Sequence, residues 1–143
     1  MPLIIVRRAV VLLSVVALST VFTSCSDSSG PEPITGTYTL RTVNALPLPY
    51  LVVSETSGGV TSKFEVTGGN AVLNADNSFT SSVTLRQTVG STATSTVSSM
   101  TGTYTISGSA LTFRGSDGLV TPATLVSGTI TVATGGLALA LSK

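Results

Sequence analysis

One cysteine, no histidine and a few carboxylates carry most of the chemistry open to this 143-residue chain. Cys25 is the cysteine, and a thiolate is an intrinsically strong nucleophile. The absence of histidine removes Ser-His-Asp and Cys-His catalysis, and imidazole metal sites, in one step. Beyond residue 34 the carboxylates are Glu55, Glu65, Asp76 and Asp117. A glycosidase needs two carboxylates facing one bond. Glu55 and Glu65 are the pair on offer, and Glu65 falls on the outward parity of its segment. Asp76 and Asp117 sit in turn-like sequence, where bonding to their own backbone accounts for them. One acid in Asp76, Asn77 and Ser78 makes a poor oxygen cage for calcium. The paired glycines lack the following lysine and the strand-to-helix setting of a phosphate loop. The expectation is a protein that is not an enzyme and has no catalytic residue, metal or cofactor.

The surroundings of Cys25 give it a different use. Arg7 and Arg8 precede a mostly apolar run over residues 9–21, broken by Ser14, Ser19 and Thr20. That is roughly a dozen residues, shorter than the ~20 a spanning helix needs. Its length and flanks are those of a helical signal peptide. Phe22, Thr23, Ser24 and Cys25 then resemble a bacterial lipobox: an apolar residue, two small ones, cysteine. The resemblance implies cleavage before Cys25 and transfer of a diacylglyceryl group to its sulfur as a thioether. Further acylation with chains such as palmitate follows. Several chains together anchor stably where one is marginal. A plain secretory signal with a free thiol is the alternative. A single cysteine permits no intramolecular disulfide. By the same resemblance, Ser26 favours the outer membrane over retention in the inner one.

The polar stretch "SDSSGPEP" over residues 26–33 has nothing to bury and reads as a flexible tether. The expected organisation is a signal peptide over residues 1–24, acylated cysteine and tether over 25–34, and one β domain over 35–143. Loss of Arg7 and Arg8 with the signal takes the formal charge from +1 to −1. A near-neutral domain lacks the basic footprint that nucleic acid requires.

The β domain is rich in Thr, Ser, Val and Gly, residues of strands and turns. Strict alternation marks sheets with one buried face. In "FTSSVTLRQTV", residues 79–89, Phe79, Val83, Leu85 and Val89 share one parity and Arg86 the other. Val60, Phe64 and Val66 oppose Lys63 and Glu65. Leu111 and Phe113 point inward, as do Ile130 and Val132, then Leu137, Leu139 and Leu141. Turn signals separate these runs at "NADNS", "SGSA", "GSDG" and "ATGG", and "NALPLP" over residues 44–49 reads as a bend. Nine or ten short strands joined by hairpins predict an all-β, antiparallel up-and-down meander that closes or nearly closes. A β-sandwich is the alternative.

Two nearly identical phrases stand out, "TGTYTL" at residues 35–40 and "TGTYTI" at 101–106. The sequences diverge immediately afterwards, so domain duplication is excluded. Both read as the start of a core strand. Glycine would admit a close neighbour, and the tyrosine hydroxyl would reach a partner near a rim.

The ordered set "ITGTYTLRTVNALPLP", "GGNAVLNADNSFT" and "GTYTISGSALTF", spanning most of residues 34–113, resembles bacterial lipocalin-like lipoprotein domains. That resemblance implies a barrel holding a small hydrophobic ligand. Inward parity nominates the lining residues. Tyr38 and Leu40 come from the first strand, and Phe64 and Val66 from the next core run. Phe79, Val83 and Leu85 follow, then Tyr104, Ile106 and Phe113. The same residues would equally make an ordinary core. The second functional reading is a structural or interaction module of the cell envelope. It would work through an outward hydroxyl face that includes Thr92, Thr94, Thr96 and Ser98. Both readings place the protein on a membrane through its lipid, most simply the outer membrane facing periplasm or exterior.

Overall fold

The structure, a computed structural model, describes residues 33–143. The expected signal peptide, Cys25 and nearly all of the tether lie outside the described residues. Ten strands and no helix make up the described part. They are β1 (Gly36–Val43), β2 (Leu46–Pro47), β3 (Tyr50–Ser57), β4 (Val60–Leu73) and β5 (Ser78–Val89). The others are β6 (Thr92–Ser107), β7 (Ala110–Gly115), β8 (Val120–Val126), β9 (Thr129–Thr134) and β10 (Leu137–Ser142).

From β4 to β10 each strand pairs with its predecessor, so the meander is continuous. Closure comes from β1, which pairs with β10 on one side and β4 on the other. The ring therefore contains eight strands, β1 and β4–β10, all antiparallel, consistent with a lipocalin-like barrel. A two-sheet sandwich is set aside, because one sheet bonds back onto itself.

Alternation decides the inside of the ring. Tyr38, Leu40, Leu73, Leu111 and Ile130 are at most 3% exposed, and Val43 and Val66 are equally hidden. The outward parity carries Thr37, Thr39, Thr103, Thr105, Thr124 and Thr131, all exposed. Apolar inside with hydroxyls outside is the reverse of a membrane-spanning barrel, whose outer band faces lipid.

Turn chemistry sets the register. At the β4–β5 turn, Asp76 Oδ1 accepts from the Ser78 N–H at 2.9 Å and the Ser78 hydroxyl at 2.6 Å. Asn77 supplies the positive φ of 64° that asparagine tolerates. Asn44 and Ala45, with φ of 51° and 63°, turn β1 into the two-residue β2. The stretch expected as a bend thus contains a tight hairpin.

β4 serves two neighbours in succession. Its last residues, Asn70–Leu73, pair with β1, and its first part, Val60–Val66, pairs with β3. A bulge between Val66 and Gly68 marks the change. Beyond it, β3, β4, β5 and β6 continue past the ring as a four-stranded extension. There the residues of β4 have no bond to β1, and those of β6 have none to β7.

The two tyrosines of the repeated phrase do the same job. The Tyr38 hydroxyl donates to the Ile34 carbonyl at 2.7 Å, and the Tyr104 hydroxyl to the Asn74 carbonyl at 2.7 Å. Both satisfy a main-chain acceptor at the end of the barrel where β1 enters, and they plug that end. The two glycines differ. A Cβ on Gly102 would lie 2.0 Å from the Arg114 carbonyl oxygen and 2.8 Å from the Phe79 ring. Gly36 has room, with Lys143 Cε at 3.7 Å, but a φ of +124° that side-chain-bearing residues rarely adopt.

Candidate functional site

Inward-facing residues of β1 and β4–β10 do not fill the whole barrel. They leave a chamber of about 190 Å³ that opens at one end. Its floor is built on the aromatic pair Phe79 and Phe113, packed edge to face at 4.9 Å between ring centroids. Below that pair lie Tyr104 and Leu111, both almost fully buried. Aliphatic walls come from Leu40, Val83, Ile130, Val132, Leu139 and Leu141. Leu119, from the loop between β7 and β8, stands at the mouth, and Met100 adds a flexible thioether to the β6 wall.

Of the ten residues nominated from sequence, Leu40, Phe79, Val83 and Phe113 line this chamber. Tyr38, Val66 and Tyr104 are buried core and do not reach it. Leu85 packs on the edge of the core, and Phe64 is half-buried on the extension. Both share the face that continues upward from the chamber wall, since Val66 pairs with Leu85 and Phe64 with Gln87. Ile106 is placed elsewhere, 39% exposed at the closed rim. The cause is local: β5 begins at Ser78, opposite Thr103, so β6 has lost one neighbour by Ile106.

The row Thr92, Thr94, Thr96 and Ser98 is not on the outer face. Register pairs these residues with Val89, Gln87, Leu85 and Val83, which puts them on the inner one. The three threonines are exposed only because they stand above the ring, and Ser98 lines the chamber itself. Ser81, Thr121 and Thr134 complete the inward hydroxyls, and none of them was singled out from sequence. Parity was sufficient to find Ser81, which alternates with Phe79 and Val83. For Ser98 the signal conflicts, because Val97 marks one parity of the run as apolar and Met100 marks the other.

No ionisable side chain lines the chamber. Glu65 instead points outward and accepts from Arg86 Nε at 3.0 Å and Nη2 at 2.8 Å. Glu55 pairs with Ser62 in the register while Glu65 pairs with Leu51 across a bulge, so the two carboxylates occupy opposite faces. They do not face one bond. Among the described residues no three His, Cys, Asp or Glu side chains come together as a metal site. The perturbed groups lie at the closed end. Hydrogen bonds from the Ser78 hydroxyl, then from its backbone, hold the Asp76 carboxyl below its ordinary pKa. Burial, then the nearby Asp76 charge, pushes the Tyr104 hydroxyl above its own.

Fold and site together define a small antiparallel barrel with a neutral, largely apolar chamber open at one end. No family model matches the chain, and no similar protein was found among curated proteins or solved structures.

Proposed function

We propose that this protein is a lipid-anchored lipoprotein of the bacterial envelope whose barrel binds a small hydrophobic ligand. The single observation that carries the ligand reading is the 190 Å³ chamber with its apolar walls and open mouth. A well-packed domain leaves few voids larger than a water molecule. An interior space of this size in the centre of a barrel is therefore a feature of the fold to be explained. Barrels of eight strands are just wide enough either to fill with side chains or to hold one small molecule.

The anchoring reading rests on Cys25, its lipobox-like surroundings and the leader ahead of them. Its geometry is compatible with the ligand reading. Residues 33–36 enter the barrel at the end plugged by Tyr38 and Tyr104, and the mouth is at the other end. Ser26 and the resemblance to lipocalin-like lipoproteins favour the outer membrane.

Native mass spectrometry of the protein isolated from cells tests both parts. The expected spectrum shows a lipid-modified polypeptide that also retains a small non-covalent adduct. A Cys25→Ala variant loses the lipid mass and leaves the membrane fraction while keeping the adduct. An adduct-free mass, with no response to an apolar dye, would replace the carrier reading with that of a non-catalytic envelope module.

A further inference from the structure

We infer that the chamber takes an uncharged ligand of about seven or eight non-hydrogen atoms, with an apolar body and one hydrogen-bonding group. The inference rests on the ligand-binding reading above and adds the chemical class. Size comes first. An apolar cavity of about 150 Å³ holds benzene. In the same proportion the chamber's 190 Å³ holds about seven or eight heavy atoms. It falls below the ~300 Å³ at which sites for drug-sized molecules begin. A long acyl chain would leave most of its length outside.

Charge comes next. An ion entering a site without a counter-charge loses hydration and gains nothing equivalent. None of the lining side chains can ionise. Among the described residues, the charge bonded to the rim is negative: Asp117 Oδ1 accepts from the backbone N–H of Leu119 at 2.9 Å, and Leu119 lines the mouth. A carboxylate or phosphate ligand is thus opposed twice, by desolvation and by like charge.

The hydroxyls complete the argument. Ser81, Ser98, Thr121 and Thr134 line the chamber, and none of their hydroxyls has a hydrogen-bond partner among the described residues. Ser81 and Thr121 are not sealed away as buried unsatisfied groups, Ser98 and Thr134 are exposed, and all four stand on the chamber lining. Each can donate and accept. Ser98 lies opposite Val83, two residues from Ser81 on the same face. That makes the two serines diagonal neighbours at about 7–8 Å between Cα atoms. One alcohol, ketone or amide group placed between them can bond both, while its apolar body meets Phe79, Phe113 and the aliphatic wall.

The test uses an isosteric pair on the protein as isolated from cells, hexanamide and hexanoate, titrated by calorimetry near neutral pH. Hexanamide should bind at least about tenfold more tightly, because only the anion must be desolvated without a partner. Hexanoate binding as tightly as hexanamide would overturn the inference and leave the ligand-binding reading standing. Binding of neither, nor of toluene, by protein whose native mass spectrum shows no adduct would overturn both. Replacing the hydroxyls, Ser81→Ala with Ser98→Ala, should weaken hexanamide several-fold and leave toluene unchanged. Toluene binding also reports that the variant has folded. Thr121→Val repeats the comparison on another wall. Unchanged hexanamide affinity in both variants would refute the role given to the hydroxyls.

Discussion

Replacing Gly102 by alanine tests the central packing of the barrel. The new Cβ would sit 2.0 Å from the Arg114 carbonyl oxygen and 2.8 Å from Phe79 Cε1. An ordinary carbon–oxygen contact is about 3.3 Å. β7 must therefore recede by more than about 1 Å where Gly102 pairs with Gly115. The obstacle is backbone, so rotamer changes cannot relieve it. Overpacking of this kind costs about 3 kcal/mol or more, and a weakened ladder bond adds about 1 kcal/mol. The total approaches the ~5 kcal/mol stability of a marginal domain. Urea unfolding followed by far-UV circular dichroism reads the result. With a slope of about 1.5 kcal/mol per molar, a loss of about 4 kcal/mol lowers the midpoint by about 2.7 M. Gly68→Ala is the control, since its Cβ would meet nothing within 4 Å; it should change stability by less than about 0.5 kcal/mol. Equal midpoints for the two variants would mean that β6 and β7 do not approach as described.

Gly36→Ala should cost about 1–3 kcal/mol through backbone conformation alone, and Gly36→Ser should cost the same, whereas at Gly102 the penalty should grow with side-chain size. The check is the same urea midpoint. Tyr104→Phe removes the bond to the Asn74 carbonyl and should cost about 1 kcal/mol below pH 10. The folded hydroxyl has a raised pKa, so its contribution is complete below the unfolded value and is lost as pH rises through the folded one. Midpoints measured across the alkaline range should therefore fall more steeply in the native sequence than in Tyr104→Phe. Arg86→Ala breaks the cross-strand pair with Glu65, whose Arg86 side chain is 40% exposed. It should cost below about 1 kcal/mol, and less still in high salt.

Much of the fold was legible because the chain alternates cleanly. Phe79, Val83 and Leu85 against Arg86 allow one register only, since a one-residue slip buries the guanidinium. The hairpin turns were legible for a local reason: Asp76, Asn77 and the Gly135–Gly136 pair supply backbone shapes and bonds that other residues provide poorly. Closure was not local. Nothing in Gly36–Thr39 announces that these residues pair with Asn70–Leu73, or that β4 changes partner at its bulge. The continuation of the sheet past the ring was hidden for the same reason, and with it the true side of Thr92–Ser98. Four lining residues followed from parity. Ser98, Thr121 and Thr134 are harder to place because a hydroxyl marks neither face by itself, yet all three line the chamber.

The order of the ring has a consequence for biogenesis. β1 forms at the start of the domain, yet one of its partners is β10, the last strand. Its other seam, to β4, is only four residue pairs long. Until Leu137–Ser142 emerges, the nascent chain can curl into a sheet but cannot seal it, and its growing edge stays open to other strands. Sealing thus waits on Leu137–Ser142, and a polypeptide lacking that strand would present two raw borders, on β1 and on β9, to its neighbours.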